Sequence, residues 1–428
     1  MAPGNVIELD GRTGEGGGQL VRIAVALAAV ASKPVKVTNV RGNRPGNRGG
    51  GLKSQHVTSI EWLAMATKAD VTGLEVGSKT LEFRPNSVPS DVVERNIKIR
   101  AASAAASSLL IFQAVFPFLL FAGNESNEPI ELTISGGTNV SFSLSYEYLD
   151  QVLLPTLERW FGIAVERKLL GRGWSSGPAS RGSVWFKLQP LPSGDKLRLE
   201  DGSLELGTQM SDFDVKSVDA TIISPTGLHA GLETALRNDL ERRFSGVTVN
   251  FRQHEESNHE SRIYVLLVAK STTLRWGRDN LYAGKRKGKT EKDLCEEVSR
   301  KVTRELYGEV KTGGLVDEHL QDQLVIFQAL AEGGTSFPRS KPVGLRSMDD
   351  RARTANQVEK EMEELSIGEQ MRKDNARKPF GDPEMDSRHT QTARWVTAEV
   401  LDSTVTWFNQ GRVCEGIGFV SGVRKPSE

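Results

Sequence analysis

Cysteine is scarce in this chain, since only Cys295 and Cys414 occur among 428 residues and they lie far apart. Two distant thiols cannot supply a disulfide framework or the closely spaced ligands of a zinc finger. The same scarcity is typical of a reducing compartment. The six histidines form no H-E-x-x-H motif. The sequence therefore offers no standard zinc-binding pattern.

Net charge is absent as well, because 55 Lys and Arg residues balance 55 Asp and Glu residues. A polyanionic partner would have to bind a local basic patch. The N-terminal residues lack a basic segment and an apolar core, which predicts no signal peptide. Residues 101–122 could cross a bilayer by length. Ala and Ser fill the first half of this stretch, Gln113 lies in its middle and Pro117 interrupts it, so we expect a buried core helix and no membrane association.

Glycine is abundant at one point, the segment DGRTGEGGGQLVR at residues 10–22. It follows an extended apolar run and precedes an Ala/Val/Leu-rich helical run. Strand, glycine loop and helix N-terminus together can bind an anion. Glu15 would suit such a site only with a divalent cation between the carboxylate and a phosphate. The loop matches neither the P-loop nor the G-x-G-x-x-G pattern, so a purely structural turn is the alternative.

A basic loop follows the next predicted strand, at residues 41–56. Residues 36–56 contain five basic side chains and no acidic one. Interspersed glycine and proline prevent these charges from forming a solvated helix face. The loop therefore indicates phosphate or nucleic-acid contact, with an inert basic surface as the alternative.

Predicted strands and helices alternate through the first part of the chain, which is typical of an α/β domain. Strand, glycine turn and helix occur from residue 6 and again from residue 130, where GGTN (136–139) precedes a helix at 146–161. This order predicts a diverged repeat of a βα unit. A compact βαβ-like stretch then follows a polar connector. We therefore predict a large domain at 1–190 and 290–428, with a small α/β domain inserted at 191–289.

Two further segments are distinctive. Residues 275–289 hold six basic residues against one acidic, which predicts a solvated patch or a supporting RNA contact. Residues 335–388 are charged and poor in aromatics, so we expect a disordered insertion there. Among the histidines, His389 begins the tetrad HTQT at a predicted helix start, and His319 shares a helix with Asp322 and Gln323. Each could equally be a surface or core residue.

Several motifs occur in the order found in RNA 3'-terminal phosphate cyclases. They are IELDGRTGEGGGQLVRIAVALA, R-x-x-R, LKSQH, GGTN, VDEHLQDQLVIFQALA and HTQTA. On these motifs the chain resembles that family over nearly its whole length, except for the segment at 335–388. The resemblance implies an α/β fold of repeated βα units with a small inserted domain.

The resemblance also implies a ligase reaction with ATP and Mg²⁺ or Mn²⁺. A histidine attacks the α-phosphate of ATP, and the AMP passes from the histidine to an RNA 3'-phosphate. The neighbouring 2'-OH then closes a 2',3'-cyclic phosphate. An RNA with a 3'-phosphate end is the implied partner, and the nucleus is the implied location ahead of the cytoplasm. The rival interpretation is a catalytically inactive relative that acts in ribosome assembly and pre-rRNA processing.

Specific residues match the family's site. His389 matches the nucleophile, and Glu15 matches the acidic residue near the metal. His319 stands where the family usually has a tyrosine that packs at the nucleotide. The residues implied to bind the nucleotide are Gln113, His319, Asp322 and Gln323. Those implied to bind phosphate or RNA are Arg22, Arg41, Arg44, Gln55 and His56.

Overall fold

The computed structural model describes residues 5–44, 49–200, 207, 210–284, 288–340 and 371–421. Its strands form three four-stranded sheets and one three-stranded sheet, with helices packed against them. This is a mixed α/β architecture, so the predicted fold class is confirmed.

The first sheet has the strand order β1-β2-β4-β3. Strands β1 and β2 are parallel, whereas β2–β4 and β4–β3 are antiparallel. The elements of this unit are β1 (Ile7–Asp10), α1 (Gly18–Ala31), β2 (Val35–Thr38), α2 (Ser54–Thr67), β3 (Asp70–Thr72) and β4 (Leu81–Arg84).

The second sheet repeats the same order as β5-β6-β8-β7, with β5 and β6 parallel. Its elements are β5 (Asn96–Arg100), α3 (Ser108–Leu120), β6 (Ile130–Gly136), α4 (Tyr146–Tyr148), a π-helical turn (Leu149–Leu153), α5 (Leu154–Phe161), β7 (Val165–Gly171) and β8 (Gly182–Leu188).

The internal repeat is present, but its predicted phase is wrong. The strand at residue 130 is β6, and β6 occupies the sheet position that β2 occupies in the first unit. The counterpart of β1 is β5, a short strand of alternating buried and charged residues that precedes α3. The helix predicted at 101–122 accordingly begins only at Ser108, after β5 and a loop.

Helices α1 and α3 form the centre of the large core. Both are apolar around most of their circumference, and they pack on each other. A helix that is apolar all round is stable only when it is covered on all sides. Among the described helices, none combines the length and apolar composition that a bilayer crossing requires.

The third sheet has the order β10-β9-β11-β12 and carries α6 and α7. Its elements are β9 (Ser217–Ser224), α6 (His229–Arg243), β10 (Thr248–Glu256), β11 (Tyr264–Lys270), β12 (Arg275–Leu281) and α7 (Glu291–Thr312). Helix α7 packs on α6, β11 and β12. The division into a large domain at 1–190 and 290–428 and a small domain at 191–289 stays a prediction.

The chain closes with a fourth sheet of order β13-β15-β14. Its elements are α8 (Glu318–Leu330), β13 (Glu332–Thr335), α9 (Arg388–Val400), β14 (Thr406–Phe408) and β15 (Val413–Ile417). Helix α9 packs on α1 and α8, so the end of the chain is joined to its beginning.

The basic run at 275–289 is only partly described, and the described part is not the solvated patch that we predicted. Residues 275–281 form β12, in which Trp276 is fully buried and Arg278 pairs with Glu309 and Glu318. Residues 285–287 lie outside the described residues.

The segment predicted to be disordered, 335–388, includes residues at both of its ends that make defined contacts in the structure. Arg339 donates to the Met385 carbonyl, and the carboxylate of Asp374 accepts from the backbone N–H groups of residues 410 and 411. Asp386 is paired with the buried Arg394. Residues 341–370 lie outside the described residues, so the prediction of disorder stays a prediction there.

Candidate active site

The glycine loop between β1 and α1 lies against the first turn of α9. Gly14 and Gly16 adopt φ values of 68° and 61°, a region that favours glycine. Between them, the backbone N–H of Glu15 donates to Thr392 Oγ1 at 2.9 Å. The loop is thereby fixed to the helix that carries His389.

The carboxylate of Glu15 is buried in this contact, with 7% of the side chain exposed. Neither carboxylate oxygen accepts a hydrogen bond from the described residues. Arg44 Nη2 pairs with Oε1, and His389 Nε2 lies 3.9 Å from the same oxygen. A buried carboxylate with free lone pairs requires cationic neighbours or ligands.

His389 lies in the first turn of α9, whose N-cap Ser387 accepts from the Thr390 N–H. Its Nδ1 is 2.5 Å from Gln19 Oε1. The amide of Gln19 is oriented by Asp322, because Gln19 Nε2 donates to Asp322 Oδ2 at 2.9 Å. Gln19 therefore presents an acceptor to the imidazole, so Nδ1 must carry the proton. Nε2 is left with a free lone pair on the side of Glu15.

Burial lowers the pKa of His389 below its ordinary value, and the nearby cations Arg22 and Arg44 lower it further, while Asp322 raises it. The net effect keeps the imidazole neutral at physiological pH. A neutral imidazole with one unprotonated nitrogen is a competent nucleophile.

Asp322 and Gln323 lie on the second turn of α8, which Asp317 caps by accepting from two backbone N–H groups. Gln323 Nε2 donates to Asp322 Oδ1 at 2.7 Å, while Gln19 holds the other oxygen. Burial raises the pKa of Asp322. Two amides thus satisfy this carboxylate and fix its orientation.

A pocket opens beside Asp322 between α1, α3 and α8. Aromatic and aliphatic side chains cover most of its wall. The polar residues that line it are Gln19, Arg22, Gln113, Asp322 and Gln323. Gln19 and Asp322 belong both to this pocket and to the hydrogen-bond chain of His389, so these two side chains connect the pocket to the imidazole.

A basic cluster lies at the N-terminus of α1. Burial lowers the pKa of Arg22 to about 10 and also lowers that of Arg41. His56 Nδ1 accepts from the Lys53 N–H at 3.1 Å, so its proton is on Nε2, which is buried without a partner. Burial first, and then Arg22, Arg41 and Lys53, hold the pKa of His56 well below its ordinary value.

Gly18 makes this convergence possible, because a side chain there would clash with His56 Nε2 and contact Arg22. Two guanidinium groups, an imidazole N–H and the N-terminus of α1 together favour an anion such as a phosphate. Gln55 is half-buried on the same turn as His56.

His319 is not among the described residues that line the pocket. Its Nε2 accepts from Arg278 Nη1 at 2.8 Å, and its ring meets Tyr148 edge-on at 6.0 Å. The predicted contact of His319 with a nucleotide stays a prediction.

A divalent cation fits the donor set near Glu15. The described residues contain no group of three or more His, Cys, Asp or Glu side chains that could hold a metal ion alone. Mg²⁺ typically uses one or two carboxylates together with substrate phosphates and water. The buried carboxylate of Glu15, which is paired with Arg44 and accepts no hydrogen bond from the described residues, matches that pattern.

Comparison with known proteins identifies the family of this chain. A family model described as RNA 3'-terminal phosphate cyclase matches residues 13–367. The chain belongs to the RNA 3'-terminal phosphate cyclase family. A protein of that name from Methanosarcina mazei is 34% identical over 78% of this chain and 89% of its own length. The protein from Pyrococcus furiosus is 32% identical over 77% of this chain and 87% of its own length. The one from Drosophila melanogaster is 29% identical over 83% of this chain and 91% of its own length.

The match to the cyclase family model ends at residue 367, before α9 begins. The position of His389 beside Glu15 therefore comes from the structure independently of that match. Of the site residues predicted from sequence, the structure brings Glu15, Arg44 and His389 together. It groups Arg22, Gln113, Asp322 and Gln323 around the pocket.

Sequence reasoning missed three polar residues of this candidate site. Gln19 joins His389 to Asp322, and Thr392 holds the Glu15 backbone. Gln321 donates to Asp386 and accepts from Thr390, which fixes the start of α9. A signal existed only for two of them, because Gln19 ends the glycine loop and Thr392 ends the HTQT tetrad.

Proposed function

We propose that this chain converts an RNA 3'-terminal phosphate into a 2',3'-cyclic phosphate with ATP, through a covalent histidyl-AMP. One observation carries the proposal. His389 is a neutral imidazole whose Nδ1–H is held by Gln19, which leaves the Nε2 lone pair free on the side of Glu15.

The first step follows from this placement. Nε2 of His389 attacks the α-phosphorus of ATP, the bond from that phosphorus to the bridging oxygen of the β-phosphate breaks, and pyrophosphate leaves. As the P–N bond forms, positive charge develops on the imidazole. The Nδ1–H bond to Gln19, which Asp322 polarises, stabilises that charge.

Two further steps complete the reaction. An oxygen of the RNA 3'-phosphate attacks the histidine-bound phosphorus, the P–N bond breaks, and the AMP moves to the RNA end. The adjacent ribose 2'-OH then attacks the 3'-phosphorus and gives up its proton, the cyclic ester closes, and AMP leaves. Adenylation is needed because a phosphate monoester by itself lacks a good leaving group.

The binding roles follow from chemistry and position. We assign the adenine and ribose to the pocket with Gln113, Asp322 and Gln323, and leave His319 as a residue that could reach the nucleotide. Arg22 and Arg41, with His56 and Gln55 beside them, would bind phosphate oxygens of ATP or of the RNA end. Arg44, which pairs with Glu15, would bind the same phosphate oxygens.

Glu15 would hold Mg²⁺ or Mn²⁺ together with phosphate oxygens. When bound, such an ion neutralises phosphate charge. Without it, the buried carboxylate of Glu15 would repel the triphosphate. We also propose that the protein acts in the nucleus, which localisation of a tagged chain would test.

Self-adenylation tests the proposal directly. Wild-type protein is incubated with Mg²⁺ and ATP labelled on the α-phosphate, and then run on a denaturing gel. We expect an acid-labile, alkali-stable label on the wild type and none on His389→Ala. His254→Ala is the matched control, because His254 lies on β10 of the third sheet, where its Nε2 is 3.5 Å from the carboxylate of Glu233 on α6. It should label like wild type.

Two results would contradict the proposal. One is label that persists in folded His389→Ala, which would place the adduct elsewhere. The other is no label on folded wild type, which would favour the ribosome-assembly alternative.

A further inference from the structure

A second polar surface lies outside the pocket and the basic cluster, where three loops meet. It comprises residues 140–143 after β6, residues 172–181 between β7 and β8, and residues 257–262 between β10 and β11. We call it the three-loop surface. A cavity of about 400 Å³ opens there, with Ser141, Ser175, Ser176, Glu260, Ser261 and Tyr282 in its wall. Nothing in the proposed chemistry uses these residues.

Phe142 is the distinctive side chain of this surface. It is 54% exposed, and it is the only aromatic among the strongly exposed large apolar residues of the described chain. Its neighbours are fixed, because the Ser141 N–H donates to Ser175 Oγ at 3.2 Å and Ser143 Oγ lies 2.7 Å from Ser107 Oγ. An aromatic ring on an anchored backbone, facing solvent, can stack on an unpaired base.

Two arginines at this surface carry charge that no described carboxylate neutralises. Arg262 donates to the carbonyls of Ser176, Ser257 and Pro178, at 3.4, 3.3 and 2.9 Å, and lies over the Trp174 ring. Arg181 donates to the Ala101 carbonyl.

Carbonyl partners position a guanidinium without cancelling its charge, and each of these groups keeps free N–H donors for a phosphate. Arg181 and Arg262 lie on the loops around the cavity and are not among the residues that line it, whereas Glu260 lies in the cavity wall.

The surface is continuous with the proposed active site through residues 101–107. The Ser103 N–H donates to Ser54 Oγ at 3.2 Å, and Ser54 directly precedes Gln55 and His56 in α2. Ser107, bonded to Ser143, caps α3, and α3 carries Gln113 into the nucleotide pocket. A strand of RNA whose end lies at the basic cluster would therefore reach the three-loop surface by following these loops.

We propose that the three-loop surface binds the nucleotides that precede the reacting 3' end of a single-stranded RNA. Phe142 stacks on a base, and Arg181 and Arg262 bind backbone phosphates. The identity of the reacting end rests on the proposed function, but binding of the strand itself does not.

The test measures RNA binding by fluorescence anisotropy in the absence of ATP. It uses two 3'-phosphorylated RNAs. One has about ten nucleotides, which is long enough to fill such a site, and the other is a dinucleotide. Phe142→Ala should weaken binding of the longer RNA about tenfold. Phe142→Trp should restore it, because indole also stacks. Arg181→Gln should lower the slope of log affinity against log salt by about 0.7. None of these variants should alter affinity for the dinucleotide.

Two controls match the variants. Val93→Ala removes an apolar side chain that is 89% exposed and lies before β5. Arg304→Gln removes an exposed arginine of α7. Both should bind the longer RNA like wild type.

Wild-type affinity of folded Phe142→Ala and Arg181→Gln for the longer RNA would overturn the proposal. So would an equal loss with the dinucleotide, because that would locate their effect at the active site. Self-adenylation is a separate readout that needs no RNA. Its absence in wild type would refute the proposed function and leave this binding test intact.

Discussion

Replacing Gln19 with leucine removes the amide that connects His389 to Asp322. In the wild type this side chain is 4% exposed, accepts from His389 Nδ1 and donates to Asp322 Oδ2. Gln19→Leu keeps the approximate volume but makes neither bond. The imidazole then loses the partner that keeps the proton on Nδ1, and the tautomer with Nε2 blocked becomes accessible.

The magnitude follows from the hydrogen bond to His389. During attack on ATP the ring becomes positive, and a hydrogen bond to a charged group contributes about 1.5–3 kcal/mol. At about 1.4 kcal/mol per factor of ten, self-adenylation should slow by about 10- to 100-fold. Asp322 also loses a donor to one buried oxygen, so the variant should unfold more easily by about 1–3 kcal/mol.

The assay is single-turnover self-adenylation at saturating ATP, with thermal unfolding measured alongside. Gln323→Leu is the matched control, because Gln323 donates to the other oxygen of Asp322 and is not bonded to His389. Gln323 also lines the pocket, so this variant should bind ATP more weakly and lose comparable stability. At saturating ATP its rate should still stay within about threefold of wild type. A Gln19→Leu rate equal to that of wild type, or equal rates in the two variants, would refute the positioning role.

Three further predictions concern charge. Arg44 lowers the pKa of His389, so Arg44→Ala should raise that pKa and move the acid limb of the self-adenylation rate to higher pH; a pH–rate profile that stays in place would contradict this. The pKa of His56 is depressed in the folded state, so the unfolded state binds the extra proton as pH falls below about 6.5. Urea titrations should therefore show wild type losing up to about 2 kcal/mol more stability than His56→Gln between about pH 7 and pH 5. Arg278→Met leaves Glu309, which is 4% exposed, with one fewer cation; stability should fall by about 3 kcal/mol, and a loss under about 1 kcal/mol would contradict the pairing.

Local pattern predicted the helices and most strands because their signals are local. The continuous apolar runs of α1 and α3 can only be buried, and the four-residue spacing of Leu232, Leu236 and Leu240 places one face of α6 on its sheet. Strand β5 was missed because NIKIR buries only its two isoleucines between exposed polar side chains. Without β5, the repeat was placed one strand too late.

Charge was harder to interpret, because its meaning depends on partners distant in the sequence. Residues 275–281 look like part of a solvated basic run, yet Arg278 is buried against Glu309 and Glu318. In the same way, the polar end at 371–388 is fixed by contacts with α8, α9 and the turn before β15.

In the candidate site, too, local patterns could be recognised from the sequence, whereas contacts between distant segments could not. Its glycine loop and its basic loop were visible as local composition. The pairing of His389 with Gln19 spans 370 positions, and the contact of Glu15 with Thr392 spans 377. No spacing rule reaches that far, so before the structure only the family resemblance connected these segments.

Conversion of the RNA end is the measurement that bears most directly on the central proposal. An oligonucleotide labelled at its 3'-phosphate is incubated with ATP, Mg²⁺ and the protein, and then treated with alkaline phosphatase. We predict that wild type makes the label phosphatase-resistant only when ATP is present, and that His389→Ala leaves it removable. Label that stays removable after incubation with folded, self-adenylated wild type would contradict cyclisation and indicate a different acceptor for the AMP.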